Sequence, residues 1–149
     1  MITISLRPVG RNWGTISFAS TLHLCPILDL LLAEIPLKMQ AELRLGLQEA
    51  LVNAAKHGNN LDPGKKVRVR FSLIDNQYWW VISDQGGGFI PTSNDEDDPT
   101  EFLPPDESEN GRGMCILHQI FDQVEWNKTG TELRLCKQLE ARTRLALRK

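Results

Sequence analysis

Glu49, Asn53 and Lys56 lie four and three residues apart, in a stretch where Leu43, Leu47, Ala50, Leu51 and Ala54 recur at helical period. At about 100° per residue, the three polar side chains stand within roughly 60° of one another around a helix. A carboxylate can take a proton or order water, an amide oxygen is a hard ligand suited to Mg2+, and an ammonium offsets phosphate charge. Taken alone, the same stripe also describes the polar side of a half-exposed helix. His57 reads as the end of that helix and Gly58 as its stop.

A second group is Ser83-Asp84-Gln85-Gly86-Gly87-Gly88-Phe89. An Asp at a strand end can accept a hydrogen bond from an amine such as that of adenine, and glycines let backbone pass close to a flat ligand. As an isolated triplet the glycines also fit a flexible turn. A Rossmann turn is excluded, because Phe-Ile-Pro and a polar run follow where a helix should begin, and no Gly-Lys-Ser/Thr phosphate loop occurs. The third group, Gly111-Arg112-Gly113-Met114, is expected to open a helix, leaving backbone N–H groups free for phosphate with Arg112 as a charged fork. A glycine-initiated helix with a surface Arg fits it equally. Gly130-Thr131 places a hydroxyl at a strand start and means nothing by itself.

The elements that must carry these groups follow from hydrophobic period. Ile2, Ile4 and Leu6, then Ile16 and Phe18, alternate with polar residues and predict strands. Ser20 or Thr21 is a candidate cap for a helix to about Ile35, and a long second helix is expected from about Lys38 to His57. Val67, Val69, Phe71 and Leu73 predict a strand, which an Asp75-Asn76 turn joins to a second strand over Gln77 to Ser83. Phe89 precedes 21 residues without period, then a helix is expected from Met114 to Phe121 and a closing hairpin over Val124 to Cys136. The expected fold class is α+β: a two-layer sandwich, its sheet mixed but mostly antiparallel, with helices on one face.

The 149 residues fit a single domain, 1–149, able to bury a core, and the net charge of −2 does not suggest a general nucleic-acid binder. The three cysteines form no CxxC pair, no apolar run is long enough to span a membrane, and the first residues lack the layout of a signal peptide. The expected setting is soluble and cytoplasmic, without a membrane. The charge is segregated: residues 94–110 hold eight carboxylates and no Lys or Arg, leaving the rest with 17 basic against 11 acidic side chains, while the tail over 139–149 is basic. Repulsion within the acidic loop is expected to hold it open when it covers no ligand. Of Trp13, Trp79, Trp80 and Trp126, the adjacent pair must face opposite sides of a sheet.

In order, Glu49-Ala-Leu-Val-Asn53-Ala-Ala-Lys56-His57-Gly58, Asp84-Gln-Gly86-Gly-Gly88-Phe89, Gly111-Arg112-Gly113-Met114 and Thr131 resemble the motifs of the GHKL ATPase superfamily, over about Leu43 to Leu135. The resemblance is closest to the small bacterial anti-sigma factor serine/threonine kinases. It implies an α/β sandwich that binds ATP and Mg2+ under a lid, here about 90–110. By resemblance, Glu49 is the catalytic base and Asn53 the Mg2+ ligand. Lys56, held loosely because this position varies, would touch phosphate. Asp84 would bind the adenine amine, Gly86 and Gly88 shape the pocket, Gly111, Arg112, Gly113 and Met114 close on the phosphates, and Thr131 support the adenine end. The implied protein substrate is an anti-sigma factor antagonist, a sigma factor is an implied second partner, and homodimerisation is common in the family. Histidine kinases add a helical hairpin, and gyrase and MutL relatives a transducer domain, neither of which is expected here. The alternative is a module that binds nucleotide as a switch without turnover.

Overall fold

In the computed structural model, which describes residues 2–5, 13–88 and 105–139, the strands are β1 (Thr3–Ser5), β2 (Gly14–Ala19), β3 (Lys66–Ile74), β4 (Gln77–Ser83), β5 (Gln123–Trp126) and β6 (Glu132–Gln138). They form one sheet in the order β1-β2-β3-β4-β6-β5. The helices are α1 (Cys25–Leu32), α2 (Leu37–Val52), whose end widens into a π turn over Asn53–Gly58, and α3 (Pro105–Ile120). The expected α+β sandwich is present. All five pairings are antiparallel, so the mixed component drops out among the described strands.

Period-2 patterning decides which sheet face meets the helices. Ile16, Phe18, Val67, Val69, Tyr78, Trp80, Ile82, Leu133 and Leu135 point inward and meet Leu28, Leu43, Leu47, Leu51 and Leu117 of the helical layer. Trp80 is the largest of these buried side chains, with Tyr78 stacked beside it at 5.9 Å and Phe121 edge-on at 5.6 Å. Adjacent Trp79 points to the opposite face, as strand geometry requires. The β3–β4 hairpin turns through Asp75 and Asn76, both at positive φ (51° and 64°), the backbone of a type I′ turn.

Two helix starts differ from the expectation. Helix α1 begins at Cys25 with Pro26 in its first turn, and the Thr21 hydroxyl instead accepts the His23 N–H at 3.0 Å in a local turn. Helix α3 begins at Pro105, not Met114. A proline at the first helical position followed by Asp106, Glu107 and Glu109 suits a helix N-terminus, where the macrodipole favours acid. The end of the expected 90–110 loop is thus helical, and 90–104 lies outside the described residues, as does the tail over 140–149. No helix among the described residues is long and apolar enough to cross a membrane.

Helices α2 and α3 cross where Gly46 leaves room for the Phe121 ring. A Cβ there would lie 2.6 and 2.9 Å from ring carbons and 3.1 Å from Ile120. Gly46→Val should therefore force the helices apart and cost about 1–3 kcal/mol in urea unfolding, despite the better helix propensity of valine.

Candidate functional site

The π turn decides how the end of α2 presents its residues. The Asn53 N–H is shared between the Glu49 and Ala50 carbonyls, and the Asn59 N–H reaches back five residues to the Ala54 carbonyl at 2.9 Å. Small residues line the widened turn, with Ala54 and Ala55 buried. In a π turn each residue advances less around the axis than in an α-helix. The uniform helical spacing that grouped Lys56 with Glu49 and Asn53 therefore fails at its last step: Lys56 is exposed, while Glu49 and Asn53 are half-buried.

Gly58 ends the turn against Asp84. A Cβ on Gly58 would overlap the Asp84 carboxylate, and one on Gly86 would overlap the Gly58 carbonyl. Gly88, at φ +80°, lies against the Thr129 carbonyl and comes within 3.3 Å of the Thr131 methyl at the position a Cβ would take. The Asp84 N–H donates to the Thr131 carbonyl at 2.9 Å, and the Gly86 N–H donates to Asp84 Oδ1 at 2.9 Å. Thr131 is itself fixed by Asn127, whose Oδ1 accepts the Thr131 N–H at 2.9 Å. The structure thus brings Gly58, Asp84, Gly86, Gly88 and Thr131 together from three separate stretches of chain. Burial raises the Asp84 carboxyl above its ordinary value, opposed by the Gly86 hydrogen bond and the Lys65 charge.

Asn59 holds this cluster, and the sequence reading took it only for a turn residue. It is fully buried, the one buried polar side chain among the described residues. Its Nδ2 donates to Ser20 Oγ and to the Lys66 carbonyl, each at 2.9 Å, and its Oδ1 accepts the Gln85 N–H at 2.7 Å. Gln85 Oε1 in turn accepts the Lys66 N–H at 2.7 Å. One amide therefore ties the helix end, strand β3 and the glycine turn into a unit.

At the other end of α2, Gly113 faces Glu49 and Asn53. A Cβ on Gly113 would lie 3.2 Å from Glu49 Oε2 and 3.7 Å from Asn53 Nδ2. Neither the Glu49 carboxylate nor the Asn53 amide hydrogen-bonds to another described side chain or backbone group, so both remain open to a ligand. Described residues offer no cluster of three or more His, Cys, Asp or Glu. Mg2+ needs none: it keeps several waters and takes one or two protein oxygens plus phosphate, which Asn53 Oδ1 beside Glu49 can supply. Gly111, Arg112 and Gly113 do not open a helix as expected; they lie within α3, where backbone N–H groups bond to preceding carbonyls. The Arg112 side chain lies outside the described part. Met114 is half-buried against the core.

A family model for the histidine kinase-like ATPase domain matches residues 28–137. The chain is 30% identical over 102 residues to the anti-sigma F factor of Geobacillus kaustophilus, and 29% over 101 residues to that of Oceanobacillus iheyensis. Each match covers 66% of this chain and 68% of the relative. It is also 26% identical over 107 residues to the serine-protein kinase RsbW of Bacillus subtilis, covering 66% of this chain and 64% of that one.

Asn59→Ala would leave the Gln85 N–H and the Lys66 carbonyl short of a partner, and should cost about 3 kcal/mol in urea unfolding while speeding exchange of the Gln85 amide. Asp84 should have the opposite effect on stability. Because its native carboxyl holds a proton more tightly than the unfolded chain does, stability falls as pH rises from about 3.8 through the raised native value, and the cost is complete at neutral pH. Asp84→Asn should match or exceed the parent in thermal stability at pH 7, with that advantage vanishing below about pH 3.8.

Proposed function

The chain belongs to the histidine kinase-like ATPase domain family, and from that premise we propose that it is an ATP-dependent serine/threonine kinase of a bacterial partner-switching system. The observation that carries this reading is Gly113 facing both Glu49 and Asn53, on the same helix whose far end meets Asp84. A nucleotide laid along α2 would thus find an acceptor for its base at one end and a base–ligand pair for its phosphates at the other. The names of the relatives, serine-protein kinase and anti-sigma F factor, support the choice of protein substrate and partner.

In this reading Asp84 accepts a hydrogen bond from the adenine amine, and the side-chain-free Gly86 and Gly88 leave room for the ring. Thr131 holds Asp84 in place through its backbone carbonyl. Asn53 would hold Mg2+, whose charge offsets that of the phosphates. Glu49, one helical turn away, orients the hydroxyl of a Ser or Thr on an anti-sigma factor antagonist and takes its proton as the γ-phosphoryl moves. Phosphoryl transfer asks chiefly for such positioning and charge neutralisation. Capture of phosphate by backbone N–H groups of Gly111 to Gly113 further requires the first turns of α3 to open, and two glycines at roughly 1 kcal/mol each make that part a weak helix. A single domain, working in the cytoplasm, would carry this activity, and a sigma factor is the second partner when the antagonist is absent or phosphorylated.

Incubation with γ-labelled Mg-ATP and an antagonist tests the reading. Label should pass to the antagonist, and Glu49→Gln should bind nucleotide as the parent does while losing about 10²–10⁴-fold in transfer rate. Full transfer by that variant would remove Glu49 as the base. Nucleotide binding by the parent with no transfer at all would make the protein a nucleotide-controlled binding module instead.

A further inference from the structure

The sheet face that carries no helix has a cavity of about 270 Å3, lined by Trp13, Arg70, Ile74, Trp79, Val81 and Arg134. Strand register builds it. Arg70 on β3 pairs with Val81 on β4, and Val81 with Arg134 on β6, so two arginines flank one valine on three neighbouring strands. Val81 is only 3% exposed and forms the floor. Trp79, two residues away on the same face, is one indole wall, and Trp13 is the other, with the Arg70 guanidinium 5.2 Å from its ring centroid. That contact restrains Arg70 and leaves its donors facing outward.

Both guanidinium groups are exposed. Glu125 lies opposite Arg134 in the β5–β6 register, yet among the described residues no carboxylate is within ion-pair distance of either arginine. The cavity therefore offers two cations, no anion, and an apolar floor between indole walls. A guanidinium matches a carboxylate in a two-bond fork. The two arginine backbones stand two strand spacings apart, about 10 Å. One small anion cannot satisfy both, whereas an extended peptide covers that span in three residues.

We propose that this face is a docking site for an acidic, extended peptide segment of a protein partner. Two carboxylates about three residues apart engage Arg70 and Arg134, and an apolar side chain between them fills the space over Val81. The site lies on the opposite side of the sheet from the Asp84 and Glu49 cleft and is independent of it.

Fluorescence anisotropy of a labelled octapeptide, with Glu at its second and fifth positions and Leu between, tests the proposal on the full chain at low salt. The peptide should bind the parent, weaken about tenfold in each of Arg70→Ala and Arg134→Ala, and lose binding in the double R70E/R134E variant. The same peptide with Lys in place of Glu should bind the doubly reversed variant and not the parent. Unchanged circular dichroism and Mg-ATP affinity in every variant would show that the fold and the cleft are intact. Three results would overturn the proposal: no binding of the acidic peptide to the parent, binding that ignores both arginines, or sedimentation showing that the parent self-associates through Arg70 and Arg134 and that the peptide does not compete.

Discussion

A helix end with no side chain, pressed against a carboxylate, is the contact on which the rest of the cleft depends. Any Cβ on Gly58 would occupy the space of Asp84, and any Cβ on Gly86 would occupy the space of the Gly58 carbonyl. The two backbones approach this closely because both lack side chains. Asn59 then secures the approach, since its amide reaches across to strand β3 and to the turn that follows Asp84. Through that bond network, a displacement of the helix end would displace the adenine acceptor as well. The cost falls on Asp84, whose carboxyl is raised by burial and not fully relieved by Gly86 and Lys65. A carboxylate kept under-solvated in the empty chain is the kind of group that gains most when a donor arrives.

Alternation along β3 and β4, the Asp75-Asn76 turn and the apolar stripe of α2 are local features, and local features are legible one residue at a time. So was the division of labour between Trp79 and Trp80, because neighbouring strand residues have no choice of face. Asn59 was not legible. Its partners Ser20, Lys66 and Gln85 lie 39, 7 and 26 residues away, so a turn-forming residue type concealed a buried one. The π turn escaped for a related reason. Helical templates assume one period throughout, and an extra residue in one turn rotates everything after it, which is why Lys56 left the stripe while Glu49 and Asn53 stayed on it. The start of α3 was present in the sequence as Pro105 followed by acid, but eight carboxylates in one run made it read as loop. Of the candidate site, the groups themselves were visible as types; their meeting across Gly58 and across Gly113 was not.

The sheet serves two purposes because its faces differ. One face is sealed by α1, α2 and α3 over an apolar core, and the crossing of α2 with α3 at Gly46 sets how far Gly113 stands from Glu49 and Asn53. The other carries arginines and indoles in register. Since strands β3, β4 and β6 contribute to both faces, the same hydrogen-bond ladder fixes the spacing of Arg70 from Arg134 and the position of Asp84 at the end of β4.

The central claim is that one nucleotide spans α2, with its base at Asp84 and its phosphates at Glu49, Asn53 and Gly113. Backbone amide chemical shifts, followed by nuclear magnetic resonance as Mg-ATP is added, test it most directly. The account predicts saturable changes at Gly58, Gln85 and Gly86 together with Glu49, Asn53 and Gly113, and little change at Arg70 or Arg134. Shifts at only one of the two ends, or none at either with magnesium and adenine nucleotide in excess, would contradict it.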